Sequence, residues 1–386
     1  MRLLIISPST RRGGAEEYLL TIASAVIQLG WELHIAFPKN PDTDSLIKDC
    51  EYTGARYHTL LLTDDENHSM LTAISEWRRT LFLALRVKPD IALINLPWPK
   101  FGFGSILACS TFNIPTALIF HLVPSTILLN ARRIRAYAWA RSHWQKWITI
   151  SEHNRKLLSN FFKVPIHDIQ CIRNGVNLEA KNLDIVIGEK YSLRERIRQE
   201  LGLDSHCQIA LTVGRLNAQK GYEDLIPVVQ KLKEDFPNLT FVWVGEGEQR
   251  EQLIAHVQAL GIEKEVLFLG YRSDVATLMR ASDFLVLPSH FEGQPFVLLE
   301  AMANSLPIVS SDAGGIPEMI QQGVHCQMFP VGDRDALEQS IRWALEHPEE
   351  MQKFAENGRS HLQNFSQDRM IRETLNALKK LHAHLS

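Results

Sequence analysis

Short apolar runs of four to six residues alternate along the chain with longer stretches whose apolar positions recur at helical spacing. A run of the first kind reads as a buried strand and a stretch of the second kind as an amphipathic helix. Their alternation is the pattern of βαβ units and parallel sheets. In the first half, strands are predicted over residues 3–7, 32–37, 91–95, 116–120 and 147–150. In the second half they are predicted over 209–213, 240–244, 266–269, 284–287 and 308–310. Two doubly wound α/β sheets follow, one in each half. A chain of 386 residues also exceeds the size at which one hydrophobic core keeps growing. A polar stretch of mixed charge at 177–191 reads as the linker. The expected domains are therefore 1–178 and 179–366. A C-terminal helix over 367–386, starting after Ser366 as N-cap, is free to pack back on the N-terminal domain.

Composition changes this picture little. With 45% hydrophobic and 22% charged residues the chain is globular rather than disordered or fibrous. The first apolar run is too short for a signal-peptide core, and no run approaches the ~18 apolar residues of a membrane span. Five widely spaced cysteines, never in C-x-x-C form, argue against a disulfide framework or a zinc site and fit a reducing cytoplasm. Charge is more informative. Residues 1–178 carry a formal +6 and the remainder −9, an asymmetry too mild for a nucleic-acid binder. From Ile91 to Ser151 there is no Asp or Glu, while Lys100, Arg132, Arg133, Arg135, Arg141 and Lys146 are basic.

Two segments carry candidate chemistry. Val213-Gly214-Arg215-Leu216-Asn217-Ala218-Gln219-Lys220-Gly221 follows a predicted strand, where ligands of open α/β sheets bind. A strand-end glycine lets backbone approach a ligand, and Arg215 and Lys220 on one loop can both reach a diphosphate. Taken alone, they read equally well as solvated surface charges. Glu292-Gly293-Gln294-Pro295-Phe296-Val297-Leu298-Leu299-Glu300 follows another strand. Pro295 suits the first turn of a helix whose free N–H groups, at Phe296 and Val297, form an anion site. Glu300 falls more than one turn into that helix, as a ribose-diol acceptor or a solvated carboxylate.

Together these segments resemble family four of the glycosyltransferases, retaining enzymes of GT-B fold with the signature G-R-x(4)-K-G followed by E-G-x(6)-E-A-M. Further matches are Gly13-Gly14-Ala15-Glu16, Ile150-Ser151-Glu152, Arg173-Asn174-Gly175-Val176, Val244-Gly245-Glu246-Gly247 and Gly314-Gly315-Ile316-Pro317-Glu318. The resemblance implies two Rossmann-like domains facing across a cleft. It implies that Arg215 and Lys220 hold the donor diphosphate and that Glu300 takes the ribose hydroxyls. Glu292 and the backbone of Gly293, Gln294, Pro295 and Phe296 would then face the donor sugar, with Val297 among the donor-binding helix-start groups. Gly13 and Gly14 would approach the phosphates, and His121, at a strand end, would point toward the transferred sugar. Many relatives read E-G-F-G-L-P where this chain has Glu292-Gly293-Gln294-Pro295-Phe296, a departure that bears on the shape of the sugar pocket.

The implied reaction is hexosyl transfer with retention from a nucleoside-diphosphate sugar, UDP- or GDP-linked, to a glycan, lipid-linked or small-molecule acceptor. No metal and no separate cofactor are expected. The cations and helix-start N–H groups stabilise the departing diphosphate, a preorganised electrostatic effect. The alternative readings are a nucleotide-sugar epimerase or phosphorylase of the same architecture, or a non-catalytic nucleotide-sugar-binding module, against which the intact set Arg215, Lys220, Glu292 and Glu300 argues. Asp42 and Asp44 look like a D-x-D metal motif but read as helix capping, as do Asp333 and Asp335. Gly245-Glu246-Gly247 lacks the third glycine of a dinucleotide fingerprint. The stretch 132–147 interleaves basic residues with Tyr137, Trp139, Trp144 and Trp147, which suits either an anionic membrane face or a basic helix packed on the sheet. Any acceptor or peripheral membrane contact there is expected to be anionic.

Overall fold

The computed structural model describes residues 1–62, 70–125, 129–178 and 187–383. The ten predicted strands are present within two residues of their expected bounds: β1 (Arg2–Ile6), β2 (Glu32–Phe37), β4 (Ile91–Leu96), β5 (Thr116–Phe120), β6 (Gln145–Thr149), β8 (Gln208–Val213), β9 (Leu239–Val244), β10 (Val266–Gly270), β11 (Phe284–Leu287) and β12 (Ile308–Ser311). Three more lie at sheet edges: β3 (Arg56–Thr59), β7 (Ile169–Cys171) and β13 (Gln327–Phe329). Edge strands are covered on fewer sides, and these are either polar, as in Arg56-Tyr57-His58-Thr59, or too short to display a period.

The chain divides into two compact units, Met1–Asn174 with Asp368–Ser386, and Gly175–Gln367. Residues 179–186 of the expected linker, and residues 384–386 of the expected C-terminal helix, lie outside the described residues. Each unit is built on one parallel sheet, in the order β3-β2-β1-β4-β5-β6-β7 in the first and β10-β9-β8-β11-β12-β13 in the second. Strands covered on both faces must be apolar on both. Leu3, Leu4, Ile5 and Ile6 of β1, and Ala210 and Leu211 of β8, are accordingly all inaccessible. Strand order reverses between β1 and β4 and again between β8 and β11, which opens a crevice beyond the carboxyl ends of those strands.

The helix Gln367–Ala383 belongs to the first unit. It buries Met370, Leu375 and Leu378, and its Thr374 hydroxyl meets the buried Tyr18 hydroxyl at 2.6 Å. On one face of the first sheet, the helices Met70–Val87 and Phe103–Thr111 pack almost backbone to backbone. A Cβ on Gly104 would lie 2.4 Å from the Ala73 carbonyl oxygen. No helix among the described residues is long and apolar enough to cross a membrane.

One capping assignment is corrected. Asp42 and Asp44 do not cap; Asn40 does. Its Oδ1 accepts from the Thr43 N–H at 3.1 Å while Thr43 Oγ1 accepts from the Asn40 N–H at 3.0 Å. Pro41, with no N–H to satisfy, starts the turn early, so Asp44 already lies inside the helix Asp44–Tyr52 and Asp42 faces Arg11 at 3.5 Å. Asp333 caps as predicted, accepting from the Ala336 N–H at 2.9 Å, whereas Asp335 pairs with Lys231.

Candidate active site

The loop leaving β8 is laced to its neighbours by backbone bonds. Gly214 N–H donates to the Val244 carbonyl at 3.0 Å and Leu216 N–H to that of Glu246 at 3.0 Å. The short turn Ala218–Lys220 ends at Gly221, whose φ of +69° favours glycine and whose missing side chain leaves room for the Pro288 carbonyl. The β8 loop is thereby joined to the loop leaving β11. His290 N–H donates to the Gln219 carbonyl at 2.8 Å, and Gln219 Nε2 to that of Phe291 at 3.0 Å.

Across this junction Lys220 Nζ meets Glu292 Oε1 at 2.5 Å, with both side chains largely withdrawn from water, at 16% and 6% exposed. The Lys220 stem runs past Gly214, where a Cβ would come within 3.2 Å of Lys220 Cε. The same Glu292 oxygen accepts from Ser289 Oγ at 2.8 Å, and the Ser289 carbonyl accepts from Ser311 Oγ at 2.6 Å. The Glu292 carbonyl in turn accepts from the Gly315 N–H at 3.1 Å. Glu292 is thus fixed by its own loop, through Ser289, and by the two neighbouring loops that carry Lys220 and Gly315.

Arg215, on the same loop as Lys220, is exposed and has no carboxylate partner among the described residues. Beyond buried Gly293, Gln294 and Pro295, the helix Phe296–Ala303 begins, held by Leu298, Leu299 and Met302 in the core. Its first N–H groups have no acceptor within the helix. Glu300 lies in its second turn, partly buried. Arg215, Lys220, Glu292 and Glu300 therefore belong to one unit, the first three on the two loops that leave the reversal point of its sheet and Glu300 on the helix that follows the second loop. A cavity of about 180 Å³ lies at the opposite, amino ends of these strands, among Gln208, Asp283 and Pro307, and contains none of them.

Gly13, Gly14 and His121 belong to the first unit. Gly13 is extended, and its carbonyl accepts from the Glu16 and Glu17 N–H groups that open the helix Gly14–Gln28. His121 follows β5. Its Nε2 lies 2.6 Å from Asn95 Oδ1, while Asn95 Nδ2 donates to the Ala15 carbonyl at 3.0 Å. A backbone carbonyl can only accept, so the amide orientation is fixed, and Nε2 of His121 must carry the proton. Nδ1 is left as a lone-pair acceptor. Burial pushes the imidazole down to about 3, so the ring is neutral throughout the physiological range. Tyr18 packs edge-on against it, with ring centroids 5.1 Å apart. Sequence reasoning missed Asn95 and Ser289. The signal for Asn95 was a lone amide in the apolar run of β4.

The basic aromatic stretch divides. Tyr137 and Trp147 are buried in a cluster with Phe103, Phe120 and Phe162, whereas Trp139 and Trp144 remain exposed. Arg141 pairs with Asp168 at 3.0 Å and Arg133 lies over the Phe103 ring, leaving Arg132 and Arg135 in solvent.

Comparison with known proteins follows the same division. Residues 194–361 match the family described as Glycosyl transferases group 1, and residues 12–180 match Glycosyltransferase Family 4. An uncharacterised glycosyltransferase of Methanocaldococcus jannaschii is 30% identical over 240 residues, covering 60% of this chain and 59% of that protein. The UDP-Gal:alpha-D-GlcNAc-diphosphoundecaprenol alpha-1,3-galactosyltransferase of Escherichia coli is 36% identical over 172 residues, covering 44% and 43%. The chain thus spans less than two thirds of the length of these relatives. Among solved structures, Anabaena HepE in complex with UDP-glucose superposes with a TM-score of 0.80 at 21% identity, covering 98% of this chain and 100% of that one.

The neutral His121 generates a pH prediction. Its folded-state pKa lies below the 6.5 of a free imidazole, so between those values the unfolded chain binds more protons than the folded one. The stability contributed by the neutral ring is complete above pH 6.5 and is lost as pH falls toward 3. His121→Asn should lower Tm less than wild type does on going from neutral pH to pH about 5. Calorimetric melts across that window check this, and parallel profiles for the two proteins would remove the buried neutral ring as the cause.

Proposed function

The chain belongs to family 4 of the glycosyltransferases, the group 1 transferases of GT-B α/β fold, and we propose that it moves a hexosyl group from a nucleoside-diphosphate sugar to an acceptor hydroxyl with retention. The observation that carries this reading is the Lys220–Glu292 pair at the strand reversal of the second unit, beside an unpaired Arg215 and a helix start. These groups form an anion site made of cations and N–H donors. Bond cleavage puts negative charge on the departing diphosphate, and Arg215, Lys220 and the first N–H groups of the helix Phe296–Ala303 answer that charge as it develops. Glu292 holds the Lys220 ammonium in place until the diphosphate takes it over, and then faces the sugar. Glu300 accepts from the ribose hydroxyls. By the family resemblance His121 of the first unit is assigned to the transferred sugar, and its Nδ1 lone pair suits a sugar hydroxyl. It orients rather than protonates, since its buried ring stays neutral. Gly13 and Gly14 let backbone approach the phosphates.

A UDP-sugar is the donor we favour, because the similar Anabaena protein was solved with UDP-glucose. A lipid-linked or otherwise anionic acceptor is supported by the name of the Escherichia coli relative and by the carboxylate-free run 91–151. Cysteines that form no disulfide support a cytoplasmic setting.

Arg215→Ala and Lys220→Ala should each lower kcat by roughly 10²- to 10³-fold, by analogy with loss of one preorganised donor. Steady-state transfer from a panel of UDP- and GDP-sugars, with products resolved in the presence and absence of acceptor, measures this and separates transfer from epimerisation or phosphorolysis. Near-normal turnover in either variant would refute the diphosphate role. Glu300→Ala should weaken nucleotide binding by about 1.5–3 kcal/mol, the range for a hydrogen bond to a charged acceptor. Calorimetric titration with UDP checks it, and unchanged affinity would take Glu300 out of the site. Transfer should also persist in EDTA. Activity lost to chelation and restored by Mg²⁺ or Mn²⁺ would overturn the metal-independent mechanism.

A further inference from the structure

We infer that the outward face of the helix Met70–Val87 is a docking surface for an anionic lipid bilayer. The helix is inside out. A helix at the surface of a globular domain normally turns its large apolar side chains inward. Here the buried side is small or polar, with Ala73, Glu76, Thr80, Ala84 and Val87. Glu76 accepts from the Gly104 N–H at 3.1 Å, and Thr80 bonds Ser105 at 2.8 Å. The close approach at Gly104 leaves no space on that side for larger groups. The large apolar groups face solvent instead, with Leu71 79%, Ile74 47%, Phe82 64% and Leu85 53% exposed. Positions 71, 74, 78, 82 and 85 follow helical spacing, so these side chains form one stripe with Arg78 in its middle and Arg86 at its end. Large apolar groups exposed in line and flanked by charge mark an interaction surface.

Charge selects the occupant. Between Met70 and Ser151 there are ten Lys and Arg but only two carboxylates, Glu76 and Asp90. Glu76 is buried, and Asp90 accepts from the Arg2 backbone N–H at 2.6 Å. Arg78, Arg79 and Arg86 all lie at or beyond the middle of the helix and Glu76 before it, so the end carrying Phe82, Leu85 and Arg86 is the basic one. The helix Ala131–Arg141 also packs on Phe103–Thr111, and it adds exposed Arg132, Arg135 and Trp139. A parallel two-fold pairing of this stripe with a second copy would set Arg78 and Arg86 against their own mates, and an antiparallel one would still bring the two Arg78 side chains together at its middle, whereas acidic headgroups would neutralise them. Apolar side chains flanked by arginines and an exposed tryptophan match the interfacial layer of a bilayer.

Co-sedimentation of the full chain with vesicles tests this without reference to sugar transfer. The protein should bind equimolar phosphatidylcholine and phosphatidylglycerol vesicles more tightly than pure phosphatidylcholine, and less tightly at high salt. Phe82→Ser with Leu85→Ser should lower that affinity about tenfold or more, from lost apolar burial. Arg78→Ser with Arg86→Ser should flatten its salt dependence. All four side chains are exposed, so melting and donor hydrolysis should be unchanged in these variants, and a failure here leaves the transferase reading standing. Equal vesicle binding by wild type and the Phe82, Leu85 variant would overturn the inference, as would absence of binding to anionic vesicles. A dimer in light scattering that this variant dissolves would assign the stripe to a second copy and overturn it as well.

Discussion

In a parallel sheet covered on both faces, polar side chains find room chiefly at the strand ends, and the chemistry of this protein is confined accordingly. β1, β4, β8 and β11 are largely buried, and the candidate site residues lie at or beyond the carboxyl ends of the strands. His121 is the residue after β5, Asn95 is next to last in β4, and Arg215 stands two residues past β8. Strand order then decides which of these ends are neighbours. Because β11 lies beside β8, the loops carrying Lys220 and Glu292 are adjacent although the residues are 72 positions apart.

Withdrawing an ammonium and a carboxylate from water costs several kcal/mol per ion unless each is answered by charge and hydrogen bonds. Lys220 and Glu292 answer each other, and Ser289 satisfies the same carboxylate oxygen from a third side. Such a pair is weak evidence for stability but gives a defined geometry. In the function proposed above, it holds a cation ready for the donor diphosphate. In the other unit a different device serves the same end. Asn95 fixes the His121 tautomer, and burial removes its positive charge, so the ring presents an acceptor in a set direction.

The inverted helix Met70–Val87 follows from close packing rather than from its own pattern. Hydrophobic periodicity by itself would turn Leu71, Phe82 and Leu85 inward. The backbone contact at Gly104 admits only small side chains there, and Glu76 and Thr80 find partners on the neighbouring helix, so the bulky residues are left outside.

Nine of the ten predicted strands lie inside their sheets and were legible because residues buried on both faces leave an unbroken apolar run that local order alone displays, and β10, at an edge, was legible because it keeps such a run in Val266-Leu267-Phe268-Leu269. The glycine-flanked loops around Arg215 and Lys220, and around Glu292, were legible because glycine and proline fix backbone shape within a few residues. The edge strands β3, β7 and β13 were not, since short or half-solvated segments carry no run to read. Capping by Asn40 rather than Asp42 or Asp44 depended on where Pro41 started the turn. Only the tertiary structure joined Lys220 to Glu292, set the proton on Nε2 of His121 and turned the helix Met70–Val87 inside out. Each of these depends on a partner 20 or more residues away in sequence, brought within bonding distance by sheet order and helix packing, which no local period encodes.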